Sequence, residues 1–207
     1  LSGDAGPVEG TNARLAEKLP WLALAAFGLS ADLWTKHLVF YPEALSPRFD
    51  PRMGLEVGRV CSWWRTVLAY NSGVTFGMGA SLGAWLLSLG TGFVIAMLLR
   101  ALWRTPRTEL VKCFALSIIV GGAVGNLYDR ALRPHVEADK NPGVRDFIDW
   151  YFPEGTAAAE FVRSHDVTTH WYTFNVADAL IVSGVVLLAW KILREKPEAP
   201  PAEGVAA

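Results

Sequence analysis

Residues Ser81–Leu99 read SLGAWLLSLGTGFVIAMLL, a run without a single Asp, Glu, Lys or Arg. A bilayer core needs about 20 mostly apolar residues in helical form, so this run predicts a transmembrane helix over about 81–103. Downstream, Leu110–Tyr128 carries only Lys112 before Asp129 and predicts a span over 110–129. Phe174–Leu193 is broken near its start by Asp178 and predicts another over 174–193. Upstream, Leu19–Tyr41 is apolar through Ala31 and then carries Asp32, Lys36 and His37. It predicts the span over 19–41, the weakest of the four by hydropathy. Its basic flank and small residues also suit a cleaved leader, but the helix runs on into Asp32–Lys36 with no clean processing site, so retention is expected.

Composition agrees with a membrane protein. Of 207 residues, 52% are hydrophobic and 19% charged, with nine Trp; an average soluble domain carries about 25% charged residues, and Trp gathers at membrane interfaces. Lys and Arg number 19 against 20 acidic residues, which gives no electrostatic case for nucleic acid. Two cysteines, Cys61 and Cys113, cannot build a disulfide framework or a thiolate metal site. The expected fold is therefore a membrane all-α core of four transmembrane helices at 19–194. The outer segments 1–18 and 195–207, rich in Pro, Gly, Ala and Glu, read as disordered tails.

Orientation follows from the short flanks. Arg100, Arg104, Arg107 and Lys112 lie between the second and third spans, Arg14 and Lys18 precede the first, and Lys191, Arg194 and Lys196 follow the fourth. The positive-inside rule puts these segments, and both termini, in the cytoplasm. The longer loops, about 42–80 and 130–173, then face outward. In them, Cys61–Tyr70 is aromatic and β-branched and ends at Asn71-Ser-Gly. In Val144–Tyr151, residues Val144, Asp146, Ile148 and Trp150 alternate onto one face. These two strands predict a small extramembrane sheet, and Pro153–Tyr172 a short interfacial helix.

Polar residues in the spans collect at one depth. Asp32, Thr35 and Lys36 fall at the outer end of the first span, Asn71 before the second, Asn126 and Asp129 at the outer end of the third, and Asn175 and Asp178 at the outer end of the fourth. A charge in a span costs at least about 2.5 kcal/mol on insertion scales and marks a functional site by default. A transport pathway needs polar groups through the full thickness, and the inner halves lack them. Ser72 and Ser183 have no His near them in sequence, and His37, His135, His165 and His170 lack zinc-ligand spacing. Neither a metal nor a cofactor is expected. Two carboxylates sharing a proton activate water without either, so an intramembrane aspartyl hydrolase fits best. The competing readings are a small proton- or ion-coupled carrier and a non-enzymatic scaffold.

Five blocks then carry a resemblance: Asp32-Leu-Trp-Thr-Lys36, Tyr70-Asn71-Ser-Gly73, Gly121-Gly-Ala-Val-Gly-Asn-Leu-Tyr-Asp-Arg130, Val144-Arg-Asp-Phe-Ile148 and Phe174-Asn-Val-Ala-Asp178. In these motifs and their order the chain resembles the bacterial lipoprotein signal peptidases (signal peptidase II). The resemblance implies an enzyme of the cytoplasmic membrane that cleaves diacylglyceryl-modified prolipoproteins just before the lipidated Cys, acts as a monomer among membrane lipids, and is inhibited by globomycin-type peptides. It implies Asp146 and Asp178 as catalytic residues, with Asn175 orienting them and Asp32, Lys36, Asn71, Gly122, Asn126, Asp129 and Arg130 in support.

Plainer readings stand beside these. Asp129 is a rival partner for Asp178, although a structural pairing with Arg130 or the loop is favoured. Asp149, on the opposite strand face from Asp146, reads as solvated, and Asp32 with Lys36 as an intrahelical ion pair. Gly121, Gly122 and Gly125 read as close-packing positions, Gly73 as a turn residue, and Trp63, Trp64, Trp150 and Trp171 as interface anchors. Pro42–Arg59, Arg130–Asp146 and Phe152–Phe174 are long for the family and predict an altered lid.

Overall fold

The computed structural model describes residues 7–41, 48–50, 54–71, 80–133, 143–165 and 167–195. Its helices are α1 (Pro7–Phe40), α2 (Ala80–Arg104), α3 (Leu110–Leu127), the short α4 (Ala157–Ser164) and α5 (Val176–Arg194). Helix α3 lies innermost, with Cys113 and every residue from Ala115 to Ala123 buried. Small residues allow this. A Cβ on Gly121 would stand 2.5 Å from the Ala25 carbonyl oxygen of α1, and one on Gly122 2.5 Å from the Ala177 carbonyl oxygen of α5. Glycine lets the three backbones touch, the close approach on which membrane helices pack.

Trp85–Arg104, Leu110–Leu132 and Val176–Arg194 are long and apolar enough to cross a membrane. Helix α1 is not among them, because Asp32 and Lys36 interrupt its apolar sequence. The expectation of four spans is thus met for three helices. Trp85, Leu89 and Phe93 of α2 and Val182 and Val186 of α5 are exposed, an apolar surface of the kind that lipid covers. Helix α1 begins at Pro7, ahead of the expected start at Leu19. Lys18, expected in a disordered tail, is buried, and its ammonium donates to the Thr105 carbonyl just past α2. The outermost tails, 1–6 and 196–207, lie outside the described residues.

Beyond α3 the chain widens into a π-helical turn, Tyr128–Leu132, a feature frequent at functional sites. The sheet is antiparallel in the order β1-β2-β3-β4, with β1 Arg48–Asp50, β2 Gly54–Cys61, β3 Trp64–Asn71 and β4 Val144–Trp150. The expected strand Cys61–Tyr70 is in fact split. Ser62 and Trp63 make a two-residue turn, with Cys61 paired to Trp64, so part of the supposed loop before Arg59 is β2. Strand β3 pairs with β4 from Asn71↔Val144 to Trp64↔Trp150.

The segment after β4 folds back onto it. Thr156 caps α4 by accepting from Ala159 N at 3.2 Å, the short helix expected between Pro153 and Tyr172. Trp171 N donates to Trp150 O at 2.8 Å and Phe152 N to Thr169 O at 2.9 Å. This return pairs along the open edge of β4, while α1 and the π-helical turn pack against the strand, and the one-sided alternation expected of it is lost: Val144 to Phe147 are all buried.

Candidate active site

The site forms where β4 meets the start of α5, and the backbone makes that junction. Phe174 O accepts from Phe147 N at 3.1 Å and Ile148 N at 2.8 Å, while Phe174 N donates to Ile148 O at 3.1 Å. Pinning Phe174 beside β4 puts the next residue, Asn175, against Asp146. Asn175 is the N-cap of α5, accepting from Asp178 N at 3.0 Å and donating its own N–H to Asp178 Oδ2 at 3.3 Å. This reciprocal capping box leaves its amide nitrogen free to donate to Asp146 Oδ1 at 2.6 Å and to Asn126 Oδ1 at 3.2 Å.

Asn126, from α3, completes the link by donating to Asp178 Oδ1 at 2.8 Å. Two carboxylates from different elements thereby share one asparagine, with a second asparagine bridging behind. The Asn71 side chain, at the end of β3, also hydrogen-bonds Asp146. Asp146 is buried and Asp178 half-buried. Burial above all, and then the charge of Asp178, pushes the Asp146 carboxyl up to about 7, against the pull of Asn71, Asn175 and Lys36. Carboxylates in unlike surroundings, one keeping its proton to near neutrality, can act as an acid and base pair.

A buried ionic frame holds these elements. Lys36 Nζ lies 2.7 Å from Asp32 Oδ2, 2.9 Å from Asp129 Oδ2 and 3.2 Å from Asn126 Oδ1, which uses all three ammonium donors. Asp32 Oδ1 also accepts from Ala177 N at 2.9 Å, satisfying one of the free N–H groups that open a helix. Asp32 and Lys36 are therefore more than an intrahelical pair: they dock α1 onto α3 and α5.

The ion pairs of Asp129 are not with Arg130. It binds Lys36 and, through three contacts, Arg145: Arg145 N at 3.0 Å, Nε at 2.9 Å and Nη2 at 2.8 Å. Arg133 Nε approaches it at 3.6 Å. Arg130 faces Asp178, Asp146 and Asp129 electrostatically, and its Nε is buried with no hydrogen-bond partner among the described residues. Gly122 contributes packing against Ala177. Gly73 and Ser72 lie outside the described residues.

Sequence reasoning missed two sets of charged groups. Arg145 stood inside a quoted block but was given no role; a basic residue directly beside the candidate catalytic Asp146 was the available signal. The second set corrects the reading of Asp149 as solvated. It is fully buried, 2.6 Å from Arg65 Nε and 3.1 Å from His170 Nδ1, because the return after α4 covers that face. No three His, Cys, Asp or Glu side chains gather as metal ligands among the described residues.

The fold of a helical core beside a small sheet recurs in solved structures described as bacterial membrane enzymes. One solved structure so described superimposes with a TM-score of 0.60 over 86% of this chain and 94% of its own, at 19% identity. A second gives 0.58 over 87% and 94%. The chain belongs to the signal peptidase (SPase) II family, whose pattern it matches over residues 24–194. It is 33% identical to a lipoprotein signal peptidase of Ralstonia nicotianae over 177 residues, covering 84% of each chain. It is 31% identical to one of Pseudomonas putida over 188 residues, covering 89% of this chain and 92% of the relative. A third, from Xanthomonas campestris, is 30% identical over 174 residues, 83% of this chain and 86% of that protein. The family is one of peptidases, and the ion-coupled carrier finds no support in it.

Proposed function

We propose that this chain removes signal peptides from diacylglyceryl-modified prolipoproteins, as an aspartic endopeptidase cutting just before the lipidated Cys. Family membership supports the substrate class. The observation that carries the chemistry is Asn175, whose side chain donates to Asp146 at 2.6 Å while accepting from the backbone N–H of Asp178 at 3.0 Å.

In this mechanism Asp146 is the acid. Its carboxyl, held up to about 7 by burial and by the neighbouring Asp178, hydrogen-bonds the scissile carbonyl oxygen and gives it the proton as the tetrahedral intermediate forms. Asp178, which accepts from Asn126 and from Asn175 N, takes a proton from water as that water attacks. Asp178 then passes the proton to the departing amine, and Asp146 recovers its own as the carbonyl re-forms. Neither step needs a metal.

The topology that suits this activity has α1, α2, α3 and α5 crossing the bacterial cytoplasmic membrane, with both termini cytoplasmic. The burial of Asp32 and Lys36 supports a span for α1, since their charges are paired inside the protein and not offered to lipid. Asp146 and Asp178 then lie toward the outer leaflet, where a membrane-anchored substrate presents its signal peptide.

The test is cleavage of a diacylglyceryl-modified prolipoprotein in nanodiscs, read by gel shift, for wild type, Asp146→Asn, Asp178→Asn and Asp129→Asn. Loss of at least about 10³-fold in the first two variants, with measurable cleavage by folded Asp129→Asn, supports the dyad. An active Asp146→Asn beside a dead but folded Asp129→Asn would transfer the role to Asp129. A folded wild type that leaves the substrate intact would end the peptidase proposal.

A further inference from the structure

The segment that folds back along β4 builds a cavity on the dyad side of the sheet. It is a slot of about 620 Å³ whose walls include Trp63, Trp150, Phe152, Val162, Val167 and Trp171, a size within the range of about 300–1,000 Å³ usual for ligand sites. The lining is almost wholly apolar. Of the polar side chains in the wall, His170 is engaged through Nδ1 by Asp149 at 3.1 Å, and Thr168 Oγ1 accepts from His170 N at 3.2 Å.

One strand face joins the slot to the active site. Asp146, Ile148 and Trp150 alternate onto the same face of β4, and the path from Asp146 to Trp150 is about 13 Å at about 3.3 Å per residue. Phe174 bridges to Ile148 and meets the Trp150 ring edge-on at 5.0 Å. The residue after it, Asn175, holds Asp146 at 2.6 Å. Trp171 and Tyr172, also in the wall, are exposed and lie just ahead of Val176, where α5 begins. In the proposed topology this wall stands at the membrane surface, the depth at which Trp and Tyr gather.

The occupant must be apolar and must not need backbone partners. Strand β3 pairs along one edge of β4 as far as Trp64↔Trp150. The return takes the other edge, with Trp150 O accepting from Trp171 N at 2.8 Å and Phe152 N donating to Thr169 O at 2.9 Å. A peptide laid in the slot would bury N–H and C=O groups that β4 cannot pair, a cost that an aliphatic chain does not carry. We infer that the slot takes one acyl chain of the substrate's diacylglyceryl group, an inference that rests on the peptidase reading. That group sits on the Cys beside the scissile bond, so its chains start at the dyad, and one of them follows the Asp146 face to Trp150. A lipid of the bilayer has no such tether.

The experiment measures kcat/KM in nanodiscs for one prolipoprotein carrying either a dioctanoylglyceryl or a dipalmitoylglyceryl group. Wild type, Val162→Trp and Val167→Trp are compared, each checked by its unfolding temperature; either added indole narrows the slot, and Val167 is exposed, where a larger side chain has room. Partitioning into the bilayer favours the longer chains equally in all three enzymes, so the slot is read from the ratio of the two kcat/KM values. That ratio is expected to fall about tenfold in each folded variant, the loss that goes with leaving about two methylene groups unburied. An unchanged ratio in a folded variant would overturn the proposal, as would a loss of the same size for both substrates. In either case wild-type cleavage leaves the peptidase reading standing. Failure of wild type to cleave either substrate would instead end that reading, and this one with it.

Discussion

Gly122→Ala tests how closely the chemistry depends on one backbone contact. The new methyl would meet the Ala177 carbonyl oxygen at 2.5 Å and Ile181 Cγ1 at 3.0 Å. Ordinary van der Waals contact begins at 3.4 Å, so the first clash is short by about 0.9 Å, and its partner is backbone in the opening turn of α5. That turn carries Asp178, whose Oδ1 lies 2.8 Å from Asn126 Nδ2 on α3. Separating α3 from α5 by most of the shortfall stretches this bond beyond 3.5 Å, where it ceases to be one. A misplacement of about 1 Å costs on the order of 10²-fold in rate, and overpacking of this kind costs about 1–3 kcal/mol in stability. The assay is kcat/KM on a lipidated prolipoprotein beside thermal unfolding in the same detergent. Gly90→Ala, with nothing within 4 Å of its added methyl, serves as the neutral control on α2. A folded Gly122→Ala enzyme within threefold of wild type would refute the claim that this contact sets the position of Asp178.

Three further outcomes are expected. Activity falls as pH rises through about 7, where Asp146 loses the proton its carbonyl-polarising role requires; a plateau from pH 6 to 9 in kcat would contradict this. The same raised carboxyl makes the folded state bind a proton that the unfolded chain releases near 3.8, so its contribution to stability is fully present below that value and is lost as pH rises toward 7. Denaturation midpoints across that window, with Asp146→Asn as the flat reference, measure it. Asp149→Asn removes the buried anion shared by Arg65 and His170 and should cost about 3–5 kcal/mol, while cleavage per folded molecule stays near wild type. Asp129→Asn strips a buried carboxylate from Lys36 and Arg145 at a similar cost, with hydrogen exchange rising in β4 before anywhere in α2.

Most of the helical frame was legible because bilayer physics writes long uncharged runs, and α2, α3 and α5 each begin or end within a few residues of them. Helix α1 was less so: beyond their own pair, Lys36 meets Asp129 of the π-helical turn and Asp32 accepts from Ala177 N of α5, partners that no local window contains. Strand β2 went unseen because its turn, Ser62-Trp63, lacks the Gly or Asn that announces a hairpin. Of the two expected pairings of Asp129, with Arg130 or with the loop, the structure shows the second, since adjacent helix positions do not face one another. Its partner Arg145 arrives on β4. Asp149 was misjudged for a related reason: strand alternation gives the face of a side chain, but what covers that face is settled by the return of residues 167–174.

The cost of burying so many charges is explained by what a strand beside a membrane bundle needs. Apolar contacts would hold β4 against α1 and the π-helical turn but tolerate sliding, and a slip of one residue would turn Asp146 to the opposite face. Asp129 forbids the slip by gripping both the backbone N–H and the guanidinium of Arg145, the residue next to Asp146. From the other side, Phe174 bonds to Phe147 and Ile148, the two residues after it. Asp146 is therefore bracketed in sequence by fixed points on two separate elements, and Asn175, following Phe174, has one place to reach. Lys36 extends the same clamp to Asp32, which fixes the first turn of α5 through Ala177 N. On this account the ionic frame serves geometry before electrostatics: it turns two aspartates 32 positions apart in the chain into neighbours on one asparagine.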